Sequence, residues 1–492
     1  MSAAGRTHYE TAPDDRIPFA HKVIYGLGGL VNNLLAAAIG SMVIVLNLGL
    51  GMNPALVGLM GALARVSDAF TDPLMGYISD HTRSRWGRRR PYILVGAITS
   101  GLIYALLWQL PEGRSQSFYF WFFLIGSVIF YLAYTVFATP WVALGYELTP
   151  DYHERSRLMG VQNFTSQLAY VVSPWFLAIM QYQPLFDDMV AGAAGLAIAV
   201  GVVTAGIGVL PAIFLRERFG AEPAPPAGSV LDAASARHPL LHSMADFLKG
   251  FVATVRFRPF LKLCVATFLV FNGFILVSAF QSYVIIYYVC GGDKVKGAEY
   301  VGYTGSLAAI STFLVIIFVT RLATAIGKRH AFFVSIGISM VGYALKWFCY
   351  DPHAPWLILL PMPLLAFALG GLFTVVPAMM PDVVDFDELQ TAQRREGMYG
   401  SIFWWVVKLG MAAAIFIGGL LLNATGFDVA LEGAQTEQTL LWMRIFDIAI
   451  PIIASAIAIW AIASYEITEG RAHEVRAELE RRRAALRAAA AV

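Results

Sequence analysis

The 492-residue chain is 58% hydrophobic and only 14% charged, with a mean hydropathy of +0.63. A water-soluble protein of this size needs far more charge to cover its surface, so the expected solvent for most of the chain is lipid. The formal net charge of +2 arises from basic residues in short stretches between apolar runs, which argues against a nucleic-acid partner. Cys264, Cys290 and Cys349 lie far apart with no metal-binding spacing and read as small buried hydrophobes.

The first 20 residues are polar and mixed in charge. The apolar run behind them is too long for the core of a signal peptide, so it is expected to remain as the first membrane span. Crossing ~30 Å of hydrocarbon takes ~20 mostly apolar residues. Runs of that kind fall near 23–49, 54–79, 91–110, 118–147, 160–181 and 189–214, then near 259–289, 299–325, 331–349, 356–380, 400–422 and 440–464. Between the two sets, 216–258 carries Glu222-Pro-Ala-Pro-Pro-Ala-Gly228 and several charges and reads as a solvated linker. The expected organisation is a six-helix bundle at 1–215, a cytoplasmic linker at 216–258, a second six-helix bundle at 259–465 and a cytoplasmic tail at 466–492. The tail, rich in Glu, Arg and Ala, has the composition of a solvated helix.

Arginine and lysine concentrate in alternate loops: Arg83, Arg85 and Arg88 to Arg90 after the second span, Arg155 and Arg157 after the fourth, Arg216, Arg218, Arg237 and Lys249 in the linker, Lys328 and Arg329 after the eighth. The other loops are poor in them. The positive-inside rule then puts both termini and the linker in the cytoplasm, in a multi-pass protein of a cell (inner) membrane.

Ionisable groups within spans are costly and mark function by default. Arg65, Asp68 and Asp72 follow one another at i, i+3 and i+7 and share one face of the second span. Two acids beside one arginine leave a negative charge that a bound cation or a proton would relieve. Lys408 lies in the eleventh span with no acid near it on its own helix, so its expected partners are Asp68 and Asp72; a static salt bridge locking two helices is the alternative. The fourth span contributes Tyr134, Thr135, Thr139, Pro140 and Trp141. A proline within a span frees a backbone carbonyl, tolerated where it is buried or lines a cavity. Thr135 offers an oxygen to a hard cation or bonds back to its own helix. Asn32 and Asn33 in the first span, Gln162, Asn163 and Gln167 in the fifth, and Trp141, Trp404 and Trp405 complete a candidate polar cavity with rings on which a sugar could stack.

Three stretches resemble the glycoside–pentoside–hexuronide:cation symporter family of the major facilitator superfamily. They are Asp68-Ala-Phe-Thr-Asp72 with the run that follows it to Pro91-Tyr92, Asp382-Val-Val-Asp-Phe-Asp-Glu388 with the run that follows it to Gly397 and Lys408, and Tyr134-Thr135 followed by Pro140 and Tyr152-His-Glu-Arg155. The resemblance implies an all-α membrane protein with the major facilitator fold, about twelve transmembrane helices in two six-helix halves. It implies a cation site of Asp68, Thr71, Asp72 and Thr135, with Lys408 and Arg65 coupling it to substrate. The acids Asp382, Asp385 and Glu388 with Arg394, in a cytoplasmic loop, resemble the family's cytoplasmic gate. Of the candidate substrate positions, the resemblance implies Asn33, Ala138 and Asn163, and the candidate cavity adds Tyr134, Trp141 and Trp404. Asn33, Ala138 and Asn163 stand where the family's galactoside carrier has two acids and an arginine, which removes the best acceptors for sugar hydroxyls and speaks against a galactoside. Thr71 departs from an asparagine and leaves sodium, lithium or a proton open as the coupling ion.

The expected function is cation-coupled (Na+ or H+) symport of a sugar or glycoside by alternating access, by a monomer with no cofactor and no resident metal. The alternatives are a carrier of a lipid-like or other non-sugar molecule, favoured by Ala138, and a transport-inactive membrane sensor. No nucleophile–base set points to an enzyme.

Overall fold

In the computed structural model the described residues are 13–82, 84–111, 113–149, 152–217, 254, 256–391, 396–468 and most of 470–482. Most of the expected linker, and Arg394 of the expected gate, lie outside them.

Among the described residues the chain forms twelve helices of 18 or more residues: α1 (Phe19–Met42), α2 (Pro54–His81), α3 (Arg90–Leu107), α4 (Gln116–Glu147), α5 (Tyr152–Val172), α6 (Met189–Gly208), α7 (Arg258–Tyr283), α8 (Lys294–Ile326), α9 (Lys328–Cys349), α10 (Met362–Thr391), α11 (Glu396–Ala424) and α12 (Glu437–Ala463). Ten helical stretches are long and apolar enough to cross a membrane by length and composition. The two long helices that fall short are α2, with Arg65, Asp68 and Asp72 in mid-helix, and α5, with Glu154, Arg155, Arg157, Gln162, Asn163 and Gln167. Both carry residues of the expected site, Asp68, Thr71 and Asp72 on α2 and Asn163 on α5.

Local chemistry sets the boundaries. Ser115, Asp188, Asp293 and Thr436 each accept a backbone N–H from the first turn of α4, α6, α8 and α12, satisfying a donor that has no partner within the helix. Pro91 and Pro259 stand in the first turns of α3 and α7, where the missing N–H costs nothing. The fifth apolar stretch departs from expectation: its helix starts at Tyr152 and breaks at Ser173–Trp175, around Pro174, before Phe176–Met180.

The fold divides into two compact units, residues 1–50 with 67–223 and residues 51–66 with 224–492. In the first, α1 packs on α5 and α6, and α3 on α4 and α6. Gly101 and Gly201 let α3 and α6 touch backbone to backbone, since a Cβ on Gly101 would lie 2.5 Å from the Gly201 carbonyl oxygen. In the second, α7 packs on α10, α11 and α12, and α9 on α10 and α12. The opening turns of α2 also belong to this unit. Gly58 permits this, for a Cβ there would meet the Ile415 carbonyl of α11 at 2.8 Å.

Two expectations are corrected here. The acids Asp382, Asp385 and Glu388 lie on the last turns of α10, which continues through Pro377 and Pro381 to Thr391, and not in a loop. The tail is also not simply solvated: Val475 and Leu479 are buried, and the Arg482 guanidinium donates to the Leu389 carbonyl at the end of α10 at 3.0 Å. An apolar i, i+4 pair was enough to pack a chain whose composition is otherwise charged.

Candidate functional site

Asp68 and Asp72 sit one turn apart on α2, and α4 presents Thr135 to both. The Thr135 hydroxyl oxygen is 3.1 Å from Asp68 Oδ1 and 3.0 Å from Asp72 Oδ1. Thr71 Oγ1 lies 3.2 Å from Thr135 Oγ1 and donates to the Asp68 carbonyl at 3.2 Å. Thr139, one turn further along α4, reaches Asp72 Oδ1 at 3.4 Å. Asp68 is fully buried and Thr135 nearly so. A hydroxyl has one proton to donate, so Thr135 can serve only one of its two carboxylate neighbours at a time. Pro140, buried on α4, lacks the N–H that the Val136 carbonyl would otherwise bond, which adds polarity to this stretch of α4. All four residues expected to hold the cation come together, and Thr139 joins them.

A second polar chain runs from α4 to α1 and α5. Tyr134 donates to Asn32 Oδ1 at 2.9 Å, Asn32 to Asn33 Oδ1 at 3.3 Å, and Asn33 to the Ser166 carbonyl at 3.4 Å. Gln162 donates to Ser166 Oγ at 3.0 Å. Every side chain in it is neutral. Of the expected substrate residues, Asn33 and Tyr134 belong to this chain, Ala138 is half-buried on α4, and Asn163 is exposed on α5. Trp404, on α11, is 54% exposed and stacks on Phe373. Trp141 is corrected: it is 3% exposed, stacked on Tyr25 and Phe137, and its indole N–H donates to the Tyr25 carbonyl at 3.2 Å. The helix interior has consumed the ring that was expected to meet a sugar.

Lys408 is half-buried on α11, in the second unit. Arg65 is 8% exposed, with its guanidinium 4.0 Å from Met411 Sδ. Of the expected gate, Asp382 is paired with Lys328 at 2.6 Å. Sequence reading had used Lys328 only to orient the chain.

Further charge clusters went unrecognised. Glu147, at the end of α4, accepts from Arg88 at 2.7 Å and from Arg89 at 2.6 Å. Glu217 accepts the backbone N–H groups of Arg88, Arg89 and Arg90 at 2.9, 2.8 and 3.1 Å, closing the first turn of α3. Glu154 is held by Lys22 at 2.6 Å, by the Ile17 N–H at 2.9 Å and by Arg157 at 3.1 Å. Burial raises its pKa, but these three partners outweigh that and hold the carboxyl below its usual value. Lys346 of α9 and Asp447 of α12 form a fully buried pair at 2.7 Å. The signal for it was present in sequence, as both fall inside apolar spans.

Long apolar helices that carry buried acids, hydroxyls, amides and a buried ion pair have the layout of a membrane carrier. Over residues 24–469 the chain matches the family described as MFS/sugar transport protein, and it belongs to that family; it is a transporter of the major facilitator superfamily and not an enzyme. An uncharacterized symporter of Synechocystis sp. is 27% identical over 542 residues, covering 95% of this chain and 98% of that protein. The glucuronide carrier protein homolog of Escherichia coli is 24% identical over 93% of this chain and 95% of its own length, and the isoprimeverose transporter of Lactiplantibacillus pentosus 23% identical over 92% and 89%. The crystal structure of a D-xylose-proton symporter superposes with a TM-score of 0.64 at 16% identity, over 92% of this chain and 99% of that one, a likeness of fold.

Proposed function

We propose that this transporter is a symporter that carries a sugar or glycoside together with Na+ or a proton by alternating access, and that Asp68, Asp72, Thr135 and Thr71 hold the cation. The observation that carries the reading is the single Thr135 hydroxyl within 3.1 Å of two carboxylate oxygens. Only one of those oxygens can receive its proton, so the other faces an oxygen lone pair. A positive charge shared among these oxygens removes the repulsion, and hard oxygens are what Na+ binds. Lys408 and Arg65 are the cationic groups assigned to couple this site to substrate, and the α10 acids Asp382, Asp385 and Glu388 with Arg394 are assigned to the cytoplasmic gate.

For the substrate, the neutral chain Tyr134–Asn32–Asn33–Ser166 with Gln162 supports a sugar met by amides and hydroxyls. Such a lining has no carboxylate to repel an acidic sugar, which fits relatives named for a glucuronide and for sulfoquinovose. A pentoside, a glycoside other than a galactoside, or a hexuronide suits it. Purified protein should melt at a higher temperature with sodium chloride than with choline chloride, or on acidification if the ion is a proton. A ligand at a hundredfold its Kd adds about 2.7 kcal/mol. The right sugar should add a further shift that grows with the cation. A melting temperature indifferent to sodium, to pH and to a panel of pentosides, glycosides and hexuronides would overturn the reading.

A further inference from the structure

Beyond its regular end at Tyr283, α7 continues as a π-helical turn, Val284–Val289. Turns of this type are rare and hold an extra residue in the helical path. Its residues Val284 to Tyr287 and Val289 are buried, and its carbonyls accept from donors unusually far along the chain: Ile285 from the Cys290 N–H, five residues on, at 2.9 Å and Ile286 from the Gly292 N–H, six residues on, at 2.8 Å.

Two layers of side chains tie this turn to the same pair of helices. In the lower layer Gln281, just before the turn, accepts from Lys346 Nζ of α9 at 3.3 Å, and Lys346 in turn pairs with Asp447 of α12 at 2.7 Å. Asp447 Oδ2 also accepts from the Tyr350 hydroxyl at 2.5 Å, and the Lys346 ammonium lies 5.8 and 5.5 Å from the ring centroids of Tyr343 and Tyr350. In the upper layer Tyr288, within the turn, faces the Arg444 guanidinium of α12 at 4.2 Å, whose other neighbour is the Trp347 ring of α9 at 4.4 Å. Arg444 also donates to the Trp347 carbonyl at 3.2 Å. Lys346 and Trp347 are adjacent in sequence, Arg444 and Asp447 are one turn apart, and Gln281 lies just before the π turn while Tyr288 lies near its end. The layers differ in kind: the Lys346–Asp447 pair is wholly buried, whereas Trp347 is 39% exposed and Arg444 half-buried.

We propose that the π turn of α7 is a movable joint of the transport cycle, and that Lys346 with Asp447 below it and Arg444 above it are positioning residues that hold it closed against α9 and α12. A buried ion pair is a poor source of net stability, yet it fixes geometry, because removing either partner alone strands a charge. The lower layer is the fixed seat of the joint. The upper one, a flat guanidinium between two rings, is the part that releases. The inference rests on the chain being a transporter and not on which sugar or ion it carries.

Cys290, directly behind the turn, is a built-in reporter. Burial pushes its thiol up to about 11, so alkylation is slow until the turn opens to water. In the full-length purified protein, the rate of iodoacetamide labelling at Cys290, read by peptide mass spectrometry without ligand, is the measurement. Arg444→Gln and Gln281→Leu should each speed it at least fivefold with the melting temperature nearly unchanged. Gln281→Glu, which keeps an acceptor facing Lys346, should restore the native rate, as no purely structural loss would allow. Labelling within twofold of the native rate in both Arg444→Gln and Gln281→Leu overturns the proposal. So does a rise matched by faster hydrogen exchange throughout α8 and α10, which would mark general loosening.

Discussion

Replacing Asp72 with asparagine keeps the size of the side chain and removes one of the two charges that meet at Thr135. Ion-driven accumulation and any stabilisation by the cation should both be lost, while the protein remains inserted and folded. Thr135→Ala removes one neutral oxygen, a loss on the order of 1–1.5 kcal/mol, so cation affinity should fall about tenfold and transport should persist at higher ion concentration. Isotope uptake in vesicles across a titration of the cation separates the two outcomes, and normal accumulation by Asp72→Asn would dismiss the site. These residues were legible because acids in an apolar helix at i and i+4 have few structural excuses. Trp141 misled because an aromatic on a helix with a few polar neighbours looks the same in sequence whether its ring faces a cavity or, as here, Tyr25 and Phe137. Lys346 and Asp447 were overlooked although the same rule applied to them, for they lie on different spans and pair only in three dimensions.

Among the elements, α5 depends on a carboxylate in its first turn, ahead of the apolar stretch. Glu154 ties α1 through Lys22 and the chain before α1 through the Ile17 N–H. Its pKa is held below the usual value of 4.5, so the native state favours the charged form. The sign follows from linkage: its stabilising contribution is complete above the unfolded value and is lost as pH falls through the lower folded value. Glu154→Gln should cost about 1.5–3 kcal/mol at neutral pH, the range for hydrogen bonds to charged groups. It should also flatten the acid side of the melting-temperature profile in detergent. An unchanged acid limb would show that the carboxylate contributes nothing. Helix ends were the least legible feature of the sequence. Charged residues at 382–388 suggested a loop, yet their spacing of three suits the closing turns of α10, and an end set by tertiary contacts leaves no mark in composition.

For the molecule as a whole, the apolar runs revealed the helices, because the lipid demands them. The stretches of α2 and α5 were read as apolar runs with the rest, although their charged and amide side chains keep these two helices below the other ten in apolar character. The orientation expected from arginine and lysine placement is open to direct measurement. Ser84 lies in the arginine-rich turn after α2, and Leu185, 68% exposed, in the poor loop before α6. Cysteine at 84 should react with an impermeant thiol reagent only in permeabilised cells, and cysteine at 185 in intact ones. The reverse pattern would invert the topology.

Glu217 closes the first turn of α3 with one carboxylate and three backbone N–H groups, and it stands six residues before the first unit ends at Pro223. The first unit is therefore fastened shut by its own last stretch. A ribosome that has released residue 217 has already supplied the stopper for a turn completed more than a hundred residues earlier. Apart from the opening turns of α2, the first unit can settle before the second is translated, and a gene divided after that point would yield an N-terminal product with its final clasp in place.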